Sequence, residues 1–305
     1  MLIKTFKNNY YLQILLLIIV PLSIYIYSLF SYNLPFWSSF SSFIIIILQS
    51  LLLNFVFSEN KLCQKNTFLP AFIYIILCLS KGDALMLSST LIANIFVLLA
   101  LHFMFKAFDD NEGLDELFFS SFSIGIASVI FEAYIYFLIW LLLCLIAYSY
   151  YKWRQWVIVF LGILLPILSL ALYHFIFGNL TSFTENFSTK YIHLYNVQFS
   201  FSIADIVFYI VLALFLILSF FSLIQTNNDS LIAYRRKNIV VIILMVCSLI
   251  PFFFFFNQNN DILIIAIPIS MLISKFLLAK RKIKYSNFFL IILFCAIIFK
   301  VIGSF

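Results

Sequence analysis

Charge is what this chain has least of. Of 305 residues only 10% are charged, against 65% apolar; an ordinary soluble domain carries roughly 25% charge. Too few polar side chains remain to cover a soluble surface of this size. Histidine occurs only 3 times, too few and too separated to read as a metal site. No Walker A, HExxH or GxSxG pattern is found. No soluble stretch is long enough for a nucleotide-hydrolysing domain. The five cysteines, Cys63, Cys78, Cys144, Cys247 and Cys295, form no CxxC pair, and four lie inside apolar runs. They read as small buried hydrophobes, not as disulfides or metal ligands.

What is present is a succession of apolar runs from residue 12 to the end, which makes lipid the expected solvent. The expected fold is all-α and polytopic, a single integral membrane domain over 1–305. Lys4 and Lys7 precede the run Leu12 to Phe30, which is long enough to span and has no small-residue cleavage site after it, so it reads as a first transmembrane helix. Further spans are expected at about 40–57, 67–80, 84–105, 156–177, 204–225, 239–256, 261–279 and 286–303. The stretch 117–151 as one helix would be about 50 Å long, against a hydrocarbon core of about 30 Å. Glu132 near its middle would cost several kcal/mol facing lipid at mid-bilayer, but little at a turn. The expectation is a short helical hairpin, 117–130 and 133–151, with Glu132 between.

That makes about 11 spans, and charge supports the count. With the N-terminus in the cytoplasm, 15 of the 18 basic residues face inward; only Lys81, Lys190 and Lys300 lie outside. One pass over 117–151 would reverse the side of every later loop and abolish this bias. The C-terminus is then periplasmic, and the longest outward loop is 178–203. The +6 net charge belongs to these loops and calls for no nucleic acid. Arg235, Arg236 and Lys237, like the Lys-rich segment 280–284, read as anchors against anionic lipid.

Candidate chemistry gathers on the outward side. Glu132 and Asp83 sit in tight turns between short helices; Asp205 opens a span, where a carboxylate is also a favourable dipole partner; His174 lies near an outward helix end. Carboxylates and a histidine around one outward cavity have the chemistry of a general base acting on a lipid-linked glycan or phosphate. Trp153, Arg154 and Trp156 read either as a grip on a lipid phosphate with cation–π support or as an interfacial anchor. The acidic loop 109–116 reads as a solvated turn or as a docking surface for other envelope proteins. Gly125, in SIGIAS, lets helices approach closely. No cofactor or metal is implied.

The segment FFSSFSIGIASVIFEAYIYFLIWLLLCLIAYSYYKWRQWVIVFLGILLPILSLALYHF, residues 118–175, carries Gly125, Ala127, Ser128, Trp153, Arg154, Trp156, Gly162 and Pro166, with Ser121 where the pattern's first glycine stands. It resembles an uncharacterised family of multi-pass membrane proteins from Bacteroidota, which implies a cell inner membrane and no particular activity. It is also faintly similar to polytopic glycosyltransferases that use polyprenyl-linked sugars. That similarity implies an acidic residue in the first outward loop; residues 32–39 have none, and Asp83 would substitute. Three readings follow: an envelope enzyme handling a lipid-linked substrate, a non-catalytic component or scaffold of an envelope complex, and a small-solute or lipid transporter.

Overall fold

The computed structural model describes residues 10–32, 35–62, 67–80, 86–109, 113–178, 202–228, 232–254, 261–279 and 283–303. Among them the chain is helical throughout, without a strand. Among the described residues eleven α-helices follow one another: α1 Tyr10–Tyr32, α2 Phe36–Glu59, α3 Leu69–Cys78, α4 Ser89–Asp109, α5 Leu114–Ile130, α6 Phe137–Ala147, α7 Trp153–Ile176, α8 Ile203–Asn228, α9 Ile232–Phe254, α10 Asp261–Ala279 and α11 Ile283–Gly303. A 3-10 stretch, Glu132–Tyr136, separates α5 from α6. Among the described residues six helices are long and apolar enough to cross a membrane: α2, α4, α7, α8, α9 and α10.

Apolar side chains are exposed in rows, as expected where the solvent is hydrocarbon. Ile14, Leu15, Ile18, Ile19 and Leu22 line one face of α1, and Phe160, Leu161, Leu164, Leu165 and Leu168 one face of α7. Serines are tolerated within such helices because their hydroxyls donate back one turn: Ser50 Oγ to Ile47 O at 2.7 Å and Ser274 Oγ to Met271 O at 2.8 Å.

The chain divides into two compact units. The first comprises Met1–Ser88, Phe199–Ile242 and Ile265–Phe305. Its α3 is buried on every face, as an all-round apolar helix must be, and its ten residues make it about 15 Å long. Tyr74 on α3 donates to Gln49 Oε1 of α2 at 2.7 Å, and Gln13 Oε1 of α1 accepts from the Phe68 amide at 3.1 Å. Phe289 on α11 meets Phe215 of α8 and Phe276 of α10 edge-on.

The second unit comprises Ser89–Gln198 and Ile243–Ile264. Here α5 lies between α4 and α7. Ser120 Oγ donates to Ala100 O of α4 at 2.9 Å. On the α7 side the contact is made by absent side chains: a Cβ on Gly125 would stand 2.9 Å from Ile163 O, and one on Gly162 would stand 1.9 Å from Ser121 Oγ. Gly125 thus serves close approach, and its partner is α7 rather than the neighbouring hairpin arm α6. The helix breaks at Phe131 (φ −142°, ψ 116°). The chain then returns to where it began: Gly113, ahead of α5, packs on Ala107, and past α6 the Tyr150 hydroxyl donates to Ala107 O. Residues 114–150 therefore form a helical hairpin with both feet at the end of α4.

Cys78, Cys144 and Cys247 are buried, whereas Cys295 is exposed on an apolar face of α11, where the apolar run had suggested burial. Cys63 lies outside the described residues.

Candidate functional site

In the first unit a group of polar side chains lies where three helix ends meet. The end of α2, the start of α9 and the end of α10 meet there. Asn60, just past α2, donates Nδ2 to Val56 O at 2.8 Å, which caps the helix and turns Oδ1 away from it. Lys237 Nζ donates to that oxygen at 3.2 Å. One residue on, Asn238 Oδ1 accepts from Lys275 Nζ of α10. Tyr234, one turn earlier on α9, donates its hydroxyl to Leu62 O at 2.7 Å and presents its ring 5.7 Å from Lys275 Nζ. The two lysines are 9% and 4% exposed, and Asn238 is fully buried. Lys237 is therefore an interior group and not the headgroup-facing anchor expected from its place beside Arg235 and Arg236.

Lys237 escaped the sequence reading because it was placed in a loop before the span 239–256, and Lys275, inside the span 261–279, because it was counted only as an inward-facing charge. One signal was available. Lys275 stands within the apolar window 262–279, and a charge on such a helix is strongly disfavoured toward lipid, so it turns inward.

At the start of α8, Asp205 and Ser202 form a reciprocal capping box. The Ser202 amide and hydroxyl donate to Asp205 Oδ2 at 3.2 and 2.8 Å, and the Asp205 amide donates to Ser202 Oγ at 3.1 Å. The other carboxylate oxygen pairs with Lys300 of α11 at 3.4 Å. Lys300 is 3% exposed, and its ammonium also lies 4.5 Å from the Phe208 ring centroid and 4.9 Å from that of Tyr209.

In the second unit, Glu132 is half-buried at the first position of the 3-10 stretch. The tip around it is pinned by Asn94 of α4, a fully buried residue that the sequence reading missed. Asn94 Oδ1 accepts from the Tyr134 hydroxyl, and Nδ2 donates to Leu263 O at 2.9 Å. His174 is half-buried in the last turn of α7, its ring edge-on to Tyr173. Trp153 and Arg154 are exposed at the start of α7, while Trp156 Nε1 donates to Tyr150 O at 3.1 Å. The Trp156 donor secures the loop before its own helix. Asp83 lies outside the described residues, as do Asp110 and Glu112 of the acidic loop. Within that loop's described part Glu116 pairs with Lys106 at 3.7 Å. Among the described residues no group of three or more His, Cys, Asp or Glu is placed to hold a metal ion.

A family model described as "Family of unknown function (DUF6427)" matches residues 1–305. No curated protein and no solved structure matches the chain.

Proposed function

The chain belongs to this family of unknown function, and we propose that it is a non-catalytic, multi-pass component of a bacterial inner membrane, with about eleven helical passes and the N-terminus in the cytoplasm. Two lines of support bear on the topology. The bonds from Lys237 to Asn60 and from Tyr234 to Leu62 bring residues about 60 and 237 to one helix end, which calls for an even number of passes between them. The hairpin provides this, since its two arms begin and end at Ala107. The positive-inside bias of the loops then assigns that end to the cytoplasm.

The observation that carries the non-catalytic reading is the engagement of Asp205. Its oxygens serve the α8 cap and the Lys300 pair, a structural assignment that accounts for the residue without chemistry. The competing reading is an enzyme acting on a lipid-linked glycan or phosphate. It draws on Glu132 and His174, each half-buried at the end of a helical segment in the second unit.

The test replaces the chromosomal copy with a Glu132→Gln, His174→Ala, Asp205→Asn variant, alongside a deletion. Membrane content of the protein and lipid-linked intermediates are measured by mass spectrometry. The non-catalytic reading expects the native lipid profile from the variant. A variant present at native level in the membrane that accumulates the same lipid-linked intermediate as the deletion establishes the enzyme reading instead.

A further inference from the structure

Four consecutive residues, Tyr151, Lys152, Trp153 and Arg154, are exposed where the chain enters α7, so that two cations alternate with two aromatic rings. The backbone that presents them is held on both sides. Ahead of them Tyr150 O accepts from Trp156 Nε1 at 3.1 Å, and the Tyr150 hydroxyl donates to Ala107 O of α4. Behind them the amide of Gln155, a buried residue, donates to Lys152 O at 3.0 Å. Tyr151 and Trp153 are 76% and 70% exposed. Exposing two large rings is costly in water and favourable in a headgroup layer, which is apolar on one side and wet on the other.

The register of α7 gives the depth of this patch. An exposed apolar stripe begins at Val157 and runs through Leu161, Leu164, Leu168 and Leu172 to Ile176. Residues 157–176 cover about 30 Å of helix, which matches a hydrocarbon core of about 30 Å. Arg154 precedes Val157 by three residues and Leu161 by seven, so it shares their lipid-facing side. It stands about 5 Å beyond the stripe, within the headgroup layer. Among the described residues Arg154 forms no ion pair: Glu116 is taken by Lys106, and neither Asp109 nor Asp115, exposed at the same end of the unit, reaches it.

We propose that Arg154, flanked by Trp153 and Tyr151, binds the phosphate of a membrane lipid with a net-negative headgroup. A planar guanidinium matches two phosphate oxygens at once. A zwitterionic headgroup brings its own cation to compete with Arg154 for the phosphate; a net-negative one does not. Such a lipid is compatible with the catalytic and the non-catalytic readings alike, and the site rests only on α7 being a membrane span.

The full chain is reconstituted into vesicles of a zwitterionic lipid that contain a minor share of either brominated phosphatidylglycerol or brominated phosphatidylcholine. Bromine quenches tryptophan fluorescence on contact. The Trp153 signal is the difference between the native chain and its Trp153→Phe variant. Phosphatidylglycerol is expected to quench this signal as if enriched about fivefold, the effect of one basic residue at an anionic headgroup layer. Arg154→Gln is expected to bring the two lipids to equal quenching. Trp37, exposed at the start of α2 with no basic residue between positions 32 and 42, is expected to show no preference in the matching Trp37→Phe difference. Because Arg154 is exposed, Arg154→Gln is expected to keep the native thermal midpoint, which separates a lost preference from unfolding.

Equal quenching by the two lipids in the native chain overturns the proposal and leaves Trp153 as an interfacial anchor. A preference that survives Arg154→Gln also overturns it, because other groups then select the lipid. Quenching by neither lipid sets Trp153 outside the bilayer and removes the depth assigned to α7 together with the site.

Discussion

Gly162 of α7 lies so close to Ser121 of α5 that a single added methyl would stand 1.9 Å from the serine hydroxyl oxygen, with Phe118 O a further 3.0 Å neighbour. Four residues along each helix, Gly125 meets Ile163 and Pro166 in the same way. Small residues at this spacing let two backbones pack directly, which is the main source of attraction between helices where lipid offers no hydrophobic drive.

Gly125→Ala is therefore expected to lower stability by about 1–3 kcal/mol, because the obstructing atom is a backbone carbonyl that has no rotamer to change. Gly162→Ala meets a side chain first, so a second change can relieve it. The double variant Ser121→Gly, Gly162→Ala is expected to recover part of the loss, which thermal unfolding of the detergent-solubilised chain measures. Simple addition of the two single effects would show that the residues do not touch.

Asn94 makes a second prediction. Its side chain ties the hairpin tip at Tyr134 to the Leu263 carbonyl. Asn94→Leu leaves both a hydroxyl and a carbonyl without that partner and is expected to cost about 1–3 kcal/mol. In Tyr134→Phe background the cost should be smaller, since one of the two groups is gone. Equal costs in both backgrounds would remove Asn94 from the tip.

A third concerns Asp205 and Lys300. Removing one partner leaves the other in a place arranged for a pair, so Asp205→Asn and Lys300→Met are each expected to lower the thermal midpoint. The double variant should lose less than the sum, with a coupling above about 0.5 kcal/mol. Raising the salt concentration should have little effect on the coupling, because Lys300 is 3% exposed.

Much of the helical plan was legible in the sequence, because apolar runs bounded by charge report helices directly. The break beside Glu132 was legible for an energetic reason: 35 residues are too many for one crossing, and a charge favours a turn. The Gly125 patch was readable as a packing surface, but not its partner, since Gly162 is 37 positions away and only the folded chain joins them. Lys237 was hidden by the assumption that charge near a helix end belongs to a loop, and Lys275 by being counted only as an inward-facing charge. Lys237 begins a helix face and Lys275 sits inside an apolar window; both point inward because the alternative is lipid. Asn94 offered no signal at all, as one amide on a mixed helix face is as compatible with solvent as with a node.

The most direct test of the account is the side of the membrane on which residues 61, 132 and 235 lie. Lys61→Cys, Glu132→Cys and Arg235→Cys are placed singly in a cysteine-free background and labelled in intact cells with a membrane-impermeant maleimide. The account predicts that positions 61 and 235 label only after the inner membrane is permeabilised, and that position 132, at the hairpin tip, labels before it. Labelling of 61 and 235 from opposite sides would contradict the even number of passes between them, and with it the arrangement proposed for this protein.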